Sequence, residues 1–422
     1  MATRKRIRPP EKEITLTWQA LVGEELATQD GRRLKLIYPG RANGGVGPDF
    51  RNAVIAMNES QVVKGDVEIH VRSSDWYRHG HHRNPEYDHV ILHAVLWDDC
   101  NSATLVQNGR SVPMVHLSKA NLMPAGQLPC VQMMSRKDGE TLRKLLDAAG
   151  ENRFEQKTRL FRDSLGSEEA GQVLYRGMMR ALGYSRNMKP FEELANRLPI
   201  RFLQDTEARR SLPLKQALLL GTAGLLPSQW LRREFSAESK IEELEHLWRS
   251  LAPGEPMSAK DWHLSHIYHN NSPVRRILAQ SHLLHRYRET GLVTGILEQV
   301  AGTPVTRGRC RLEDSLIIVS DNNSSALLGH SKAGEIMVNA ILPFVFSWAE
   351  AFPETGLSDK ALKLYLNYPG LAENEITRHM ARQLRLRDTS HFTACRQQGL
   401  IHIFTNYCCQ GNCTKCPLLS QG

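Results

Sequence analysis

The chain has 422 residues, 41% hydrophobic and 23% charged, enough for two or three cores at roughly 150 residues each, which excludes disorder as its main state. Its 54 Lys and Arg against 45 Asp and Glu leave a formal charge of +9, a surplus that suits a polyanionic partner. Residues 1–100 carry 14 basic and 14 acidic side chains, so the surplus lies beyond them, while six of the 17 histidines crowd between His70 and His93.

Arg4, Lys5, Arg6 and Arg8 open the chain, but no apolar stretch follows them to make a secretory signal. No apolar run nears the ~20 residues that span a bilayer, so the expectation is a cytoplasmic protein without a membrane segment. Apolar positions from Ile14 to Leu26 fit an amphipathic helix, stopped by Asp30-Gly31. Leu34–Tyr38, Phe50–Met57 and Gln61–Val71 then read as strands, separated by Pro39-Gly40 and Asn58-Glu59 turns. Trp76–Tyr87 is a polar and aromatic helix or loop, Val90–Trp97 a buried strand, and Val106–Gly109–Val112 a hairpin. Pro124–Pro129 marks a boundary, after which the pattern turns helical, as in Ala170–Leu182, Leu214–Leu226, Ile241–Leu251 and Val274–Tyr287. The expected domains are 1–130 (α/β), 131–374 (helical) and 375–422 (a basic helix and a Cys-rich tail).

The most informative stretch pairs Gly47-Pro48-Asp49-Phe50 with Gly65-Asp66-Val67-Glu68-Ile69-His70. Side chains alternate along a strand, so Glu68 and His70 project to one face, and a hairpin brings Asp49 to them. Two carboxylates meeting an imidazole suit a hard divalent cation, Mg²⁺ or Mn²⁺, which activates water and offsets charge on a phosphodiester. His79 and His81 are candidate phosphate contacts, with direct ligation of the metal as the alternative. His93, inside an apolar strand, reads as a satisfied core histidine, and Trp76 and Tyr87 as packing residues.

This pattern resembles the PD-(D/E)XK nuclease superfamily, in which an acidic residue after Pro opens one strand and D/E-x-K follows on the next. The resemblance implies an α/β (α+β) chain with a restriction-endonuclease-like αβββαβ core, metal-dependent cleavage of DNA or RNA, and a metal held by Asp49 and Glu68. His70 stands where the superfamily has lysine, and there it orients or activates the attacking water. Family members also place a Glu on the first helix, for which Glu24 or Glu25 serves, with Gln19 nearer the helix centre. The longer patterns Asn43-x-x-x-Gly47-Pro48-Asp49-Phe50, Gly65–Trp76, His79-Gly80-His81 and Tyr87–His93 resemble an uncharacterised bacterial family, domain-of-unknown-function family 2851, which conveys no established activity.

Near the C-terminus Cys408, Cys413 and Cys416 follow C-x4-C-x2-C with Pro417 after the last, which implies a [4Fe-4S] cluster or Zn²⁺. Counted from Cys409 the spacing is that of radical S-adenosylmethionine enzymes, but its place at the end of a helical domain argues against that reading. A fourth ligand is needed: Cys395 is nearest in sequence, and Cys310, Cys130 and Cys100 remain available. Several nucleases of the PD-(D/E)XK superfamily are similarly closed by three C-terminal cysteines and a remote one holding an iron–sulfur cluster. Finally, Arg378, Arg382 and Arg385 recur along a helix expected over Glu375–Arg387, with Arg396 nearby, either as a phosphate-tracking stripe or as a solvated face.

Overall fold

The computed structural model describes residues 11–58, 61–100, 102–117, 130, 139–204, 211–228, 238–251, 254–264, 272–305, 311–319, 326–386 and 388–419. The boundary expected at 124–129, Cys310 and Arg387 lie outside them. The chain divides into two units, one of residues 1–149, 373–389 and 399–422, the other of 150–372 and 390–398. The third expected segment therefore supplies a helix and the Cys-rich tail to the first unit and a short piece to the second.

The first unit begins with α1 (Glu11–Ala20). The helix expected to run to Leu26 stops early because Gly23 adopts a positive φ of 88°, and Leu26 instead occupies β1 (Glu25–Ala27). Apolar spacing alone does not separate the two outcomes, since Leu26 is buried in either. There follow β2 (Arg33–Tyr38), β3 (Arg41–Ala42), β4 (Phe50–Met57) and β5 (Gln61–Arg72). After β5 come α2 (Asp75–Arg78), two single 3₁₀ turns and β6 (Val90–Trp97). Two short strands, β7 (Thr104–Leu105) and β8 (Ser111–Val112), make the expected hairpin, and β9 (Met114–His116) completes the set.

These strands build a seven-stranded sheet in the order β1-β2-β4-β5-β6-β9, with β3 on β4. β1 to β5 pair antiparallel, whereas β6 runs parallel to β5 and β9 parallel to β6. The two edges also meet: Thr28 bridges Val115, and Gln29 N–H donates to the Met114 carbonyl at 2.8 Å. One face of the sheet packs Val67, Ile69, Val71, Leu92 and Ala94 against Ile14 and Trp18 of α1 and Leu21 just past it. Strand alternation then assigns Glu68, His70 and His93 to the other face.

The second unit is helical around one large apolar core. Ala170–Leu182 is a helix as expected, and Pro273–Arg286 starts on a proline, which is preorganised for a first helical turn. Leu212–Thr222 ends before Leu226 because Gly224 turns to a φ of 68°. The 27-residue helix Gly139–Leu165 went unread, its apolar positions too sparse among charged ones to stand out. The chain is thus a mixed α+β protein with a helical C-terminal portion, and no described helix is long and apolar enough to cross a membrane.

Candidate metal centre

A bulge in β4 prepares the site. The register with β5 shifts between Phe50 and Ala53, and Asn52 takes a left-handed φ of 57°, a conformation Asn tolerates better than most side chains. Asp66 secures the bulge by accepting Asn52 N–H at 3.0 Å and pairing with Arg51 at 3.3 Å. Where the ladder ends, two carboxylates take over its N–H groups. Asp49 N–H donates to Glu68 Oε2 at 3.0 Å, and Ile69 N–H donates to Asp49 Oδ2 at 2.9 Å. The expected meeting of Asp49 with Glu68 is therefore present, each acid fixed by the other's strand.

The second set of groups comes from the crossover. Trp76 of α2 is fully buried and its Nε1–H donates to the Leu105 carbonyl at 2.9 Å, which pins the segment to the β7–β8 hairpin. Gly80, at φ 75°, then lets the chain reverse between His79 and His81. As a result His79 Nδ1 lies 3.2 Å and His81 Nε2 3.3 Å from His70 Nε2. Glu68 Oε1 stands beside two of the three imidazoles, 3.1 Å from His81 Nε2 and 3.4 Å from His70 Nε2. Among the described residues, His70, His79 and His81 are the one group of possible ligands gathered within 4.8 Å of one another. The sequence offers these two histidines as phosphate contacts or as metal ligands; here they face the buried His70, and the Tyr87 ring stacks on His81 at 3.9 Å.

Behind them, His70 Nδ1 meets His93 Nε2 at 2.9 Å, and His93 Nδ1 meets Thr104 Oγ1 at 3.0 Å. If Nε2 of His70 offers its lone pair to the cluster, Nδ1 carries the proton and donates to His93, whose own N–H goes to Thr104. The core histidine of β6 thus lies directly behind His70.

Electrostatics agree with a place short of positive charge. Burial and then the Glu68 charge push Asp49 up to about 7. Burial pushes Glu68 to about 8, and Glu11 at the start of α1 adds to both. Glu11, missed in the sequence, is the acid of α1 that senses the site; Glu24 lies in the turn after the helix, where its carbonyl accepts Leu36 N–H. The imidazoles are held neutral: burial, with the neighbouring His93, His81 and His79, lowers His70 to about 2, and burial lowers His81 to about 4 and His93 to about 3.

The other predicted residues lie elsewhere. Helix Glu375–Gln383 buries Thr377, His379 and Met380 and leaves Arg378 and Arg382 exposed. Arg385 falls past the helix end at φ 53°, so the stripe has two helical members rather than three. Cys395 belongs to the second unit, buried where Gly150 leaves no room for a side chain: a Cβ there would meet its Sγ at 2.6 Å. Cys408, Cys413 and Cys416 belong to the first unit together with Cys130.

An α+β unit carrying a buried imidazole–carboxylate cluster is the class that fold and site define. The model of the family described as "Protein of unknown function (DUF2851)" matches residues 11–306, and the chain belongs to that family. The matched span contains Asp49, Glu68, His70, His79, His81 and His93. No curated protein and no solved structure matches the chain.

Proposed function

We propose that the cluster holds a divalent transition ion and that the protein is a metal-dependent phosphodiesterase acting on DNA or RNA. The observation that carries the reading is the approach of His79 Nδ1 and His81 Nε2 to His70 Nε2, at 3.2 and 3.3 Å. Such separations are close to the edges of a tetrahedron whose centre lies roughly 2.0–2.1 Å from each nitrogen. With three nitrogens and the Glu68 oxygen, the preference moves from Mg²⁺, an oxygen-seeking ion, to Mn²⁺ or Zn²⁺.

When bound, such an ion supplies Lewis acidity toward a water and a phosphoryl oxygen. His70, His79 and His81 would hold it, with Glu68 Oε1 beside His70 and His81, while His93 and Thr104 would fix the His70 tautomer. Asp49, whose carboxyl sits near 7, is matched to neutral pH as the acceptor of the attacking water's proton. His79 is exposed, which leaves one side of the cluster open. A phosphodiester substrate is supported by the order α1, β2, β4, β5, crossover, β6, with Asp49 and Glu68 at neighbouring strands, and by the +9 charge. Arg378 and Arg382, exposed on the same unit, suit backbone phosphates.

One observation favours a second reading, a nucleic-acid-binding or scaffold protein without cleavage. His70, in the place of the superfamily's lysine, is neutral and brings no positive charge to a phosphoryl group. The two are separated by stripping the protein with a chelator, restoring Mn²⁺ or Zn²⁺, and offering single- and double-stranded DNA and RNA. Cleavage that returns with the metal and is lost in Glu68→Ala supports the enzyme. Salt-dependent binding with no cleavage in either metal supports the second reading, and absence of both binding and cleavage overturns the two together.

A further inference from the structure

We propose that Arg78, held by the buried Asp75, forms with His79 an anion-binding position at the open side of the histidine cluster and takes the non-bridging oxygens of a phosphate group there. The inference rests on the phosphodiesterase reading and names the group that meets the substrate. Of the four side chains that converge on the proposed ion, Glu68, His70 and His81 are buried, with 5%, 1% and 8% of their surface exposed, and His79 alone is exposed. A phosphate therefore approaches from the His79 side, and what stands on that side decides how it is held.

The four-residue helix α2 supplies both members of the clamp. Asp75 and Arg78, three residues apart, share one face of it, and Arg78 Nη2 lies 2.5 Å from Asp75 Oδ1. Asp75 is fully buried, and its Oδ2 also accepts Arg72 N–H at 3.4 Å. A buried carboxylate demands a counter-charge, so Asp75 keeps the guanidinium at the edge of the cluster rather than free in solvent. The neighbouring Trp76, pinned through Nε1 to the Leu105 carbonyl, fixes the base from which Arg78 extends. The Arg78 side chain is nevertheless 54% exposed, and its Nη2 stands 3.5 Å from His79 Nε2. Its charge is among those that lower His70, as its place beside the cluster requires. Among the described residues it makes no other hydrogen bond or ion pair, so Nε and Nη1 remain for a ligand.

Protons make this side a place for an anion. His79 meets the cluster through Nδ1, 3.2 Å from His70 Nε2. A ring nitrogen that offers its lone pair to a cation leaves the proton on the other nitrogen, so in the loaded site Nε2–H points toward Arg78 Nη2, itself a donor only. Two donors side by side cannot satisfy each other, whereas a negatively charged oxygen satisfies both. A phosphodiester offers two non-bridging oxygens that share one negative charge, which suits a planar fork beside a ring N–H. Other arginines of the unit are already engaged. Arg51 spans Asp66 at 3.3 Å and Glu86 at 3.0 Å, and Arg110 donates to the carbonyls of Asp88 and Val90 at 2.6 and 2.8 Å. Since His70 and His81 are neutral, Arg78 brings the positive charge that they do not.

The test uses the full chain loaded with Mn²⁺ and inorganic phosphate as the probe. Arginines are modified with phenylglyoxal, with and without phosphate, and mapped by mass spectrometry. Phosphate should protect Arg78 and leave Arg72 reacting at its original rate, although the two are almost equally exposed at 54% and 52%. Arg78→Gln should lower phosphate affinity about tenfold, read from the broadening of the ³¹P signal by Mn²⁺, and leave Mn²⁺ affinity at the wild-type value. Its kcat/KM on single-stranded oligonucleotides should fall with the affinity, and Arg78→Lys should restore part of both. Equal modification of Arg78 with and without phosphate, or unchanged phosphate affinity in Arg78→Gln, overturns the proposal while wild-type cleavage keeps the functional reading. Protection of Arg78 in a protein that cleaves nothing supports the anion position and sinks the phosphodiesterase. The protection map needs no variant, and so decides the matter even if Arg78→Gln, which takes a counter-charge from buried Asp75, fails to fold.

Discussion

The second unit and the polar face of β5 and β6 solve the burial of ionisable groups in opposite ways. In the second unit Lys157 is half-buried with its Nζ donating to Asn339 Oδ1 at 2.6 Å and Gln398 Oε1 at 2.8 Å, and Arg153 Nε shares the same Gln398 oxygen at 2.8 Å. Amide oxygens satisfy these donors, the protonated lysine is disfavoured by burial, and an apolar core surrounds them. On β5 one imidazole nitrogen meets several polar partners at once: His70 Nε2 has His79, His81 and Glu68 within 3.4 Å. A lysine shared between two amides is architecture, whereas three imidazoles and a carboxylate that converge on one point are also the donor set a cation would take.

The sharpest way to break this contrast is to damage each region and read both. Leu218 is fully buried in the helical core, and Leu218→Ala should cost about 2–5 kcal/mol of stability through lost transfer energy and an unfilled cavity. Mn²⁺ affinity, measured well below the melting temperature, should stay at the wild-type value. A matched fall in affinity would show that the core and the site are not separable in the way their chemistry suggests.

A smaller effect tests whether the core histidine of β6 serves the site. His93→Phe keeps a ring in the pocket but removes the partner of His70 Nδ1 at 2.9 Å. Loss of such an orienting contact typically costs 10- to 100-fold in metal affinity, which titration calorimetry would read directly. Unchanged affinity together with a lowered melting temperature would return His93 to a purely packing role.

How much of this was legible follows from which interactions are local. β4 and β6 have the boundaries read from the sequence, because alternation and continuous apolar runs are written residue by residue. The same alternation put Glu68 and His70 on one face, and the hairpin brought Asp49 to them. The closure of the sheet through Thr28 and Val115 could not be read, since contacts across such a separation leave no periodic signal. Nor could the direction of His79 and His81, which depends on a left-handed Gly80 and on where Trp76 is buried. The cluster of six histidines in a short stretch was the available clue. Cys395, nearest in sequence to the tail, belongs to the second unit, whereas Cys408, Cys413 and Cys416 belong to the first.

The smallest predicted effect is also the most diagnostic, because it depends on protons rather than on packing. Burial and neighbouring acids raise the carboxyls of Asp49 and Glu68 to about 7 and about 8, so below those values the metal-free protein holds protons there that an incoming cation must displace. Affinity for Mn²⁺ should therefore climb as pH rises from 6 to 8, by about tenfold per unit for each proton released, and flatten above. His70 and His81, neutral down to about 2 and about 4, add nothing in that window. The sign for stability is opposite. A carboxyl whose folded pKa is raised stabilises fully below its unfolded value near 4 and loses that contribution as pH rises through 7 to 8, so the metal-free melting temperature should decline over this range and bound metal should flatten the decline. The helical unit offers no such pair, and a proton release that calorimetry in buffers of different ionisation enthalpy failed to find would mean that the two acids, like Lys157, are architecture after all.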